Sequence, residues 1–113
     1  MTSREFEIDW EQLHELSGQD AAFEQELLQL FLEDSLEQMN YLQQAWDQEN
    51  LPNIRQIAHH IKGASANVGA TQISQSAAQI EIAARDGLTE NILIPLEELS
   101  QSLNRLKLYL LSD

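Results

Sequence analysis

The sequence predicts an all-α chain: an antiparallel up-down-up-down four-helix bundle with a short extra helix at the N-terminus. Three observations lead there. Apolar residues recur at three- and four-residue steps along four long segments, and no stretch shows the period-two alternation of a strand. The breaks between segments are short and carry Gly, Pro, Asn or Asp. Short connections between long helices force antiparallel neighbours. At 113 residues the chain can bury one core, so a single domain over residues 1–113 is expected, with about the first eight residues frayed.

Taken in order, Asp9 suits the cap of a short helix from Trp10 to Leu16, stopped by Gly18. Asp20 suits the cap of a long second helix, where Leu28, Leu32, Ser35, Met39, Leu42 and Trp46 repeat at a bundle spacing. The first half of that helix is apolar beyond the seam, through Phe23, Leu27, Leu30 and Phe31, and needs a second cover that the short helix can provide. A turn is expected over Asp47-Gln48-Glu49-Asn50. Pro52 then falls in the first turn of a third helix, where its missing N–H costs nothing. Leu51, Ile54, Ile57, Ala58, Ile61, Ser65 and Val68 form its stripe, and Gly69 ends it. The fourth helix starts at Ala70 or Thr71, turns Ile73, Ala77, Ile80 and Ala84 inward, and stops at Gly87. The last begins near Ile94 with Pro95 at its first position, and buries Leu96, Leu99, Leu103, Leu106 and Leu110. A start at Glu90 would need a kink.

Composition narrows the function. Nineteen acidic against six basic residues give a net charge of −13, which argues against nucleic acid as a partner because phosphate backbones need a basic face. The charge is compatible with a basic protein partner, although acidic surfaces also serve solubility. There is no cysteine, hence no disulfide or thiolate metal site. No signal peptide and no apolar run of membrane-spanning length is present. The expectation is a soluble cytoplasmic protein, free-standing from Met1 to just beyond the last helix.

One segment departs from ordinary helix habits. Gly63 sits inside the third helix, at about 1 kcal/mol less favourable than alanine, beside His59, His60 and Lys62. On a helical wheel His59 falls about 140° from the core stripe, with Lys62 and Arg55 on its flank. Gly63 and Ala66, four and seven residues on, share the His59 face. His60 points to the opposite flank. An exposed neutral imidazole is a nucleophile at neutral pH. Phosphoryl transfer to it needs room for in-line approach and positive charge for the equatorial oxygens. Gly63 and Ala66 supply the room and Lys62 the charge. On the adjacent antiparallel helix, Glu81 lies about 80° from the core stripe, with Arg85 on the same side. Glu81 can accept a proton bond from Nδ1 of His59, leaving Nε2 as the nucleophile. Each residue alone reads blandly: an idle surface histidine, a solvated lysine, a close-packing glycine, a surface acid. Their combination at these spacings points to one site.

The string His59-x-x-Lys62-Gly63-x-Ser65, followed by Asn67-x-Gly69-Ala70, resembles the signature of histidine phosphotransfer domains of two-component phosphorelays. The second helix and the Ile80-Glu81…Ala84-Arg85 pattern extend the resemblance over almost the whole chain. It implies a monomeric bundle phosphorylated at Nε2 of His59, with Lys62 stabilising the phosphoryl group, Gly63 giving clearance and Glu81 holding the imidazole. It implies local hydrogen bonding by Ser65. His60 stands where the family more often has a small or polar residue, yet wheel and motif both select His59. Such a domain is a phosphocarrier without turnover of its own. It has no cofactor; the Mg²⁺ belongs to the receiver domain that donates or accepts the phosphoryl group. Expected partners are response-regulator receiver domains and a hybrid histidine kinase. The expected docking residues are Leu13, Leu16, Phe23, Leu27, Arg55, Ala66, Ala78, Ile82 and Arg85. Ile82, about 180° from its helix's core stripe, is an odd residue for a solvated face.

Other readings are weaker. A di-metal carboxylate bundle needs two Glu-x-x-His motifs on different helices, and only Glu11-Gln12-Leu13-His14 occurs. The neighbours His59 and His60 diverge by about 100° and cannot chelate one metal from a regular helix. The phosphoacceptor domain at the N-terminus of a chemotaxis-type histidine kinase would share the chemistry with a different donor. A pure interaction module of the same fold would not require the intact His59 and Lys62.

Overall fold

The computed structural model describes residues 8–112. Five α-helices form: α1 (Trp10–Ser17), α2 (Ala21–Asp47), α3 (Leu51–Asn67), α4 (Thr71–Arg85) and α5 (Leu93–Leu111). A single 3₁₀ turn, Thr89–Asn91, leads into α5, and the described residues contain no strand.

Local chemistry sets the boundaries. Asp9, Asp20 and Asn50 each adopt a non-helical conformation and accept from the backbone N–H three residues on, closing the first turns of α1, α2 and α3. Helix ends use left-handed residues: Gly18 at φ 69°, Gly69 at 76° and Gly87 at 73°. After α2 that place falls to Glu49, at φ 55°, with Asn50 N–H returning to Ala45 O at 2.9 Å. Pro95 is the third residue of α5, where no backbone N–H is required of it, so the helix enters without a kink.

Cross-helix pairs fix the directions. His60 meets Asp34, while Leu51 and Ile54 share a surface groove with Trp46, so α2 and α3 run oppositely. His59 meets Glu81 while the Lys62 carbonyl meets Ser74, so α4 reverses α3. Arg105 meets Gln72, and α2 packs on α5 to close the bundle. At about 1.5 Å per residue the 27-residue α2 accounts for most of the molecule's 42 Å length.

The core is one connected cluster. Every residue of the expected α3 stripe is buried except half-buried Leu51. The expected inward residues of α4 and α5 are buried too, save half-buried Leu110. Along the α2 seam Leu28, Leu32, Ser35 and Leu42 are buried, with Met39 and Trp46 half-buried.

Three expectations change at the N-terminal end. Residues 1–7, taken from sequence as frayed, lie outside the described residues. Ile8, included in that frayed stretch, is in the core, and the next N–H, of Asp9, donates to Gly69 O at 2.7 Å. Leu13, expected on the docking surface, is fully buried under α1. An eight-residue helix has room for little more than one inward stripe, and Leu13 is the residue that anchors it. The apolar residues of α2 beyond its seam are only partly covered: Phe31 is buried and Leu27 half-buried, but Phe23 and Leu30 stay exposed.

Candidate functional site

The site is built on two helices. The α3 stripe turns Ala58 and Ile61 into the core, which forces His59 outward, and its side chain is 68% exposed. On α4, burial of Ile80 and Ala84 places Glu81 on the flank facing α3, 17% exposed. Nδ1 of His59 lies 2.9 Å from Oε2 of Glu81. The carboxylate can only accept, so Nδ1 carries a proton, and in the neutral ring Nε2 keeps its lone pair. Oε1 of the same carboxylate takes Lys62 Nζ at 2.8 Å. Glu81 therefore ties imidazole and ammonium together. Its carboxyl is held below the ordinary range, first by the hydrogen bond from Lys62 and then by that from His59, against a partial burial that works the other way.

Around the imidazole the surface is low. A Cβ at Gly63 would meet nothing within 4 Å outside its own helix, and Ala66 is exposed. No internal contact requires a glycine at position 63; the space it leaves is open to solvent. The helix is braced just beneath. Ser65 Oγ points at the carbonyls of Ile61 (2.6 Å) and Lys62 (3.0 Å), and Ser74 Oγ donates to Lys62 O at 3.3 Å. Ser65 hydrogen-bonds locally, as expected. Ser74 bridges the two helices under the site, a role its half-buried position beside the α4 stripe did not announce.

The remaining candidates separate. Leu16 (50% exposed), Phe23 (42%) and Ile82 (49%) are open apolar surface. Arg55 and Ala66 are exposed, Leu27 and Ala78 half-buried, and Leu13 is removed to the core. Arg85 is exposed and its guanidinium turns to its own neighbour, Asp86, at 2.9 Å. His60 lies on the other flank, with Nε2 2.9 Å from Asp34.

A second polar cluster was not read from the sequence. Glu24 is buried between α1 and α2, where its Oε2 takes His14 Nδ1 and, at 2.9 Å, Ser17 Oγ. The signal was present: Glu24 stands four residues before Leu28 on the α2 seam, and an acid at a seam position needs buried partners. Gln12 Nε2 donates to Ala66 O at 2.6 Å, so α1 is fastened to α3 close to the site as well.

The Hpt domain family model matches residues 26–108, a span that includes His59, Lys62, Gly63 and Glu81. The chain belongs to the Hpt domain family. Among solved structures, this Hpt chain is similar to histidine-containing phosphotransfer protein B from Pseudomonas aeruginosa PAO1, at 24% identity and a TM-score of 0.86 over 94% of this chain and 92% of that one. It is also similar to the histidine-containing phosphotransfer protein ZmHP2 from maize, at 22% identity and a TM-score of 0.83 over 96% and 83%. At these identities the likeness speaks for the helical-bundle fold. A comparison with curated proteins finds no match. Hpt membership supports a histidine phosphotransfer role in two-component signalling, the role of a carrier rather than a catalyst. No helix among the described residues is long and apolar enough to cross a membrane.

Proposed function

We propose that this Hpt domain accepts a phosphoryl group on Nε2 of His59 from the aspartyl phosphate of a receiver domain and passes it to another receiver. The observation that carries the reading is the His59–Glu81 bond, which commits Nδ1 and leaves Nε2 as the other ring nitrogen of a side chain that is 68% exposed. In the transfer, the Nε2 lone pair forms the N–P bond as the bond from phosphorus to the aspartyl oxygen breaks, and the aspartate leaves as a carboxylate. Nδ1 keeps its proton, and Glu81 faces the positive charge that develops on the ring. Lys62, which shares the Glu81 carboxylate with His59, supplies positive charge for the incoming oxygens, and Gly63 gives the receiver clearance. The Mg²⁺ that the chemistry calls for belongs to the receiver, and the chain works as a monomeric cytoplasmic carrier without turnover of its own. Phosphoryl groups reach it from a hybrid histidine kinase through a receiver and leave to a response regulator.

The docking surface in this reading comprises Leu16, Phe23, Leu27, Ala66, Ala78 and Ile82, with Arg55 and Arg85 at its edge. Incubation with a phosphorylated receiver domain should transfer acid-labile, base-stable label to the protein, and His59→Gln should abolish it. Label retained in His59→Gln, or acquired from ATP alone, would overturn the reading.

A further inference from the structure

We propose that Glu81 holds Lys62 in reserve, and that the ammonium changes partner from Glu81 to the phosphoryl group when His59 is loaded. The inference rests on the phosphocarrier reading and gives Glu81 a second positioning role in that site.

In the resting chain both oxygens of Glu81 are occupied, Oε2 by His59 Nδ1 at 2.9 Å and Oε1 by Lys62 Nζ at 2.8 Å. The group expected to neutralise the phosphoryl oxygens is thus already neutralising something else. The two ring nitrogens point in different directions, so the imidazole separates Glu81 from anything attached at Nε2. Glu81 is the more enclosed partner, 17% exposed against 37% for Lys62, and the lysine stem is the flexible one. If one partner moves, it is Lys62.

Charge makes the exchange favourable at the right moment. Before loading, the nucleophilic form of the ring is the neutral one, and Lys62 is the full positive charge bonded to Glu81. After loading, the ring carries the Nδ1 proton and the Nε2–P bond together and is cationic, while the phosphoryl oxygens carry the new negative charge. Glu81 then has its counter-charge in the ring to which it is already bonded, and Lys62 is released to the more strongly negative group. A neutral amide at position 81 would still accept from Nδ1 but would hold Lys62 far less. The depression of the Glu81 carboxyl, caused first by Lys62, agrees with a resting ion pair that must open.

The test is a double-mutant cycle on the whole chain with phosphoramidate as donor. Its P–N bond breaks as Nε2–P forms, and ammonia leaves with the proton its nitrogen already carries. Loading rates are compared for wild type, Lys62→Ala, Glu81→Gln and the double variant. Because Lys62 must first leave Glu81, removing it should slow loading about two- to fivefold more in the Glu81→Gln background than in wild type, the worth of a partly exposed ion pair. An equal or smaller penalty overturns the proposal. A second measurement covers variants too slow to time: the ¹⁵Nζ signal of Lys62 should respond to Glu81→Gln in the resting protein and not in the loaded one. An equal response in both states means that Lys62 never left, and overturns the proposal while the carrier reading stands. Wild type that takes no phosphoryl group on His59 from phosphoramidate or from a phosphorylated receiver would remove the carrier reading and the proposal together.

Discussion

Gly63 separates stability from function at a single residue. It lies in mid-helix at an ordinary helical conformation, and a Cβ there meets nothing within 4 Å. Gly63→Ala should therefore stabilise the fold by about 1 kcal/mol, seen as a raised thermal midpoint, while in the proposed carrier role transfer from a receiver should slow, because the methyl fills the clearance that the proposal assigns to this position. A variant that is both more stable and equally fast would end the clearance argument. Glu81 gives the matching prediction in pH. Its native carboxyl holds a proton less tightly than the unfolded chain's, whose value is about 4.3. The pair with Lys62 consequently stabilises the fold at pH above that unfolded value, and the contribution is lost as pH falls through the lower native value. Wild type should exceed Glu81→Gln by at most about 1 kcal/mol in chemical denaturation, steadily from neutral pH to about 5, with the gap closing in more acid solution. A gap that widened in acid would reverse the sign of the argument. The legibility of these residues was uneven. His59, Lys62, Gly63 and Glu81 could be placed from a wheel because each lies on a regular helix whose core stripe is unambiguous. That Glu81 serves two partners at once could not, since a wheel gives direction and not which oxygen a lysine reaches.

Among the elements, α1 is where pattern reading failed, and for a physical reason. A helix of eight residues shows barely two turns of periodicity, so Leu13 and Leu16 look equivalent in sequence. What distinguishes them is tertiary: Asp9 N–H on Gly69 O, Gln12 on Ala66 O and the His14–Glu24–Ser17 cluster roll α1 so that Leu13 faces the core and Leu16 faces solvent. Leu13→Ala should cost about 2–5 kcal/mol of stability, as a fully buried leucine does, whereas Leu16→Ala should leave the thermal midpoint nearly unchanged and weaken receiver binding instead. If both substitutions destabilise equally, the orientation of α1 is wrong. Gly69 belongs to the same junction. Its φ of 76° already favours glycine, and a Cβ would approach Asp9 O to 2.8 Å, so this helix stop is also the seat of α1. The long helices were legible because each repeats its stripe over four or more turns. The α2 terminus was legible only as a polar turn, since Glu49 occupies the left-handed position where glycine would have marked it.

At the scale of the whole molecule, a chain of net charge −13 places three of its six basic residues, Arg55, Lys62 and Arg85, on the two site helices, which also carry the exposed Ile82. Long-range repulsion from so acidic a protein is screened over about 10 Å at 0.1 M salt, so holding a receiver in register falls to short-range contacts. Ile82 is the sharpest case. It stands one residue from Glu81 and is 49% exposed, on a helix whose core face is complete without it. Covering the remaining half of an isoleucine side chain is worth about 1 kcal/mol or slightly more, which amounts to about five- to tenfold in affinity. Ile82→Glu and Ile82→Lys are therefore expected to weaken receiver binding by about that factor in titration calorimetry, with thermal midpoints within a degree or two of wild type. Using both signs of charge isolates the apolar contribution. If Ile82→Glu weakens binding and Ile82→Lys strengthens it, and the difference vanishes at high salt, the contact is electrostatic and the apolar docking surface is misassigned; a similar loss in both, insensitive to salt, is the result that the exposed isoleucine next to Glu81 leads us to expect.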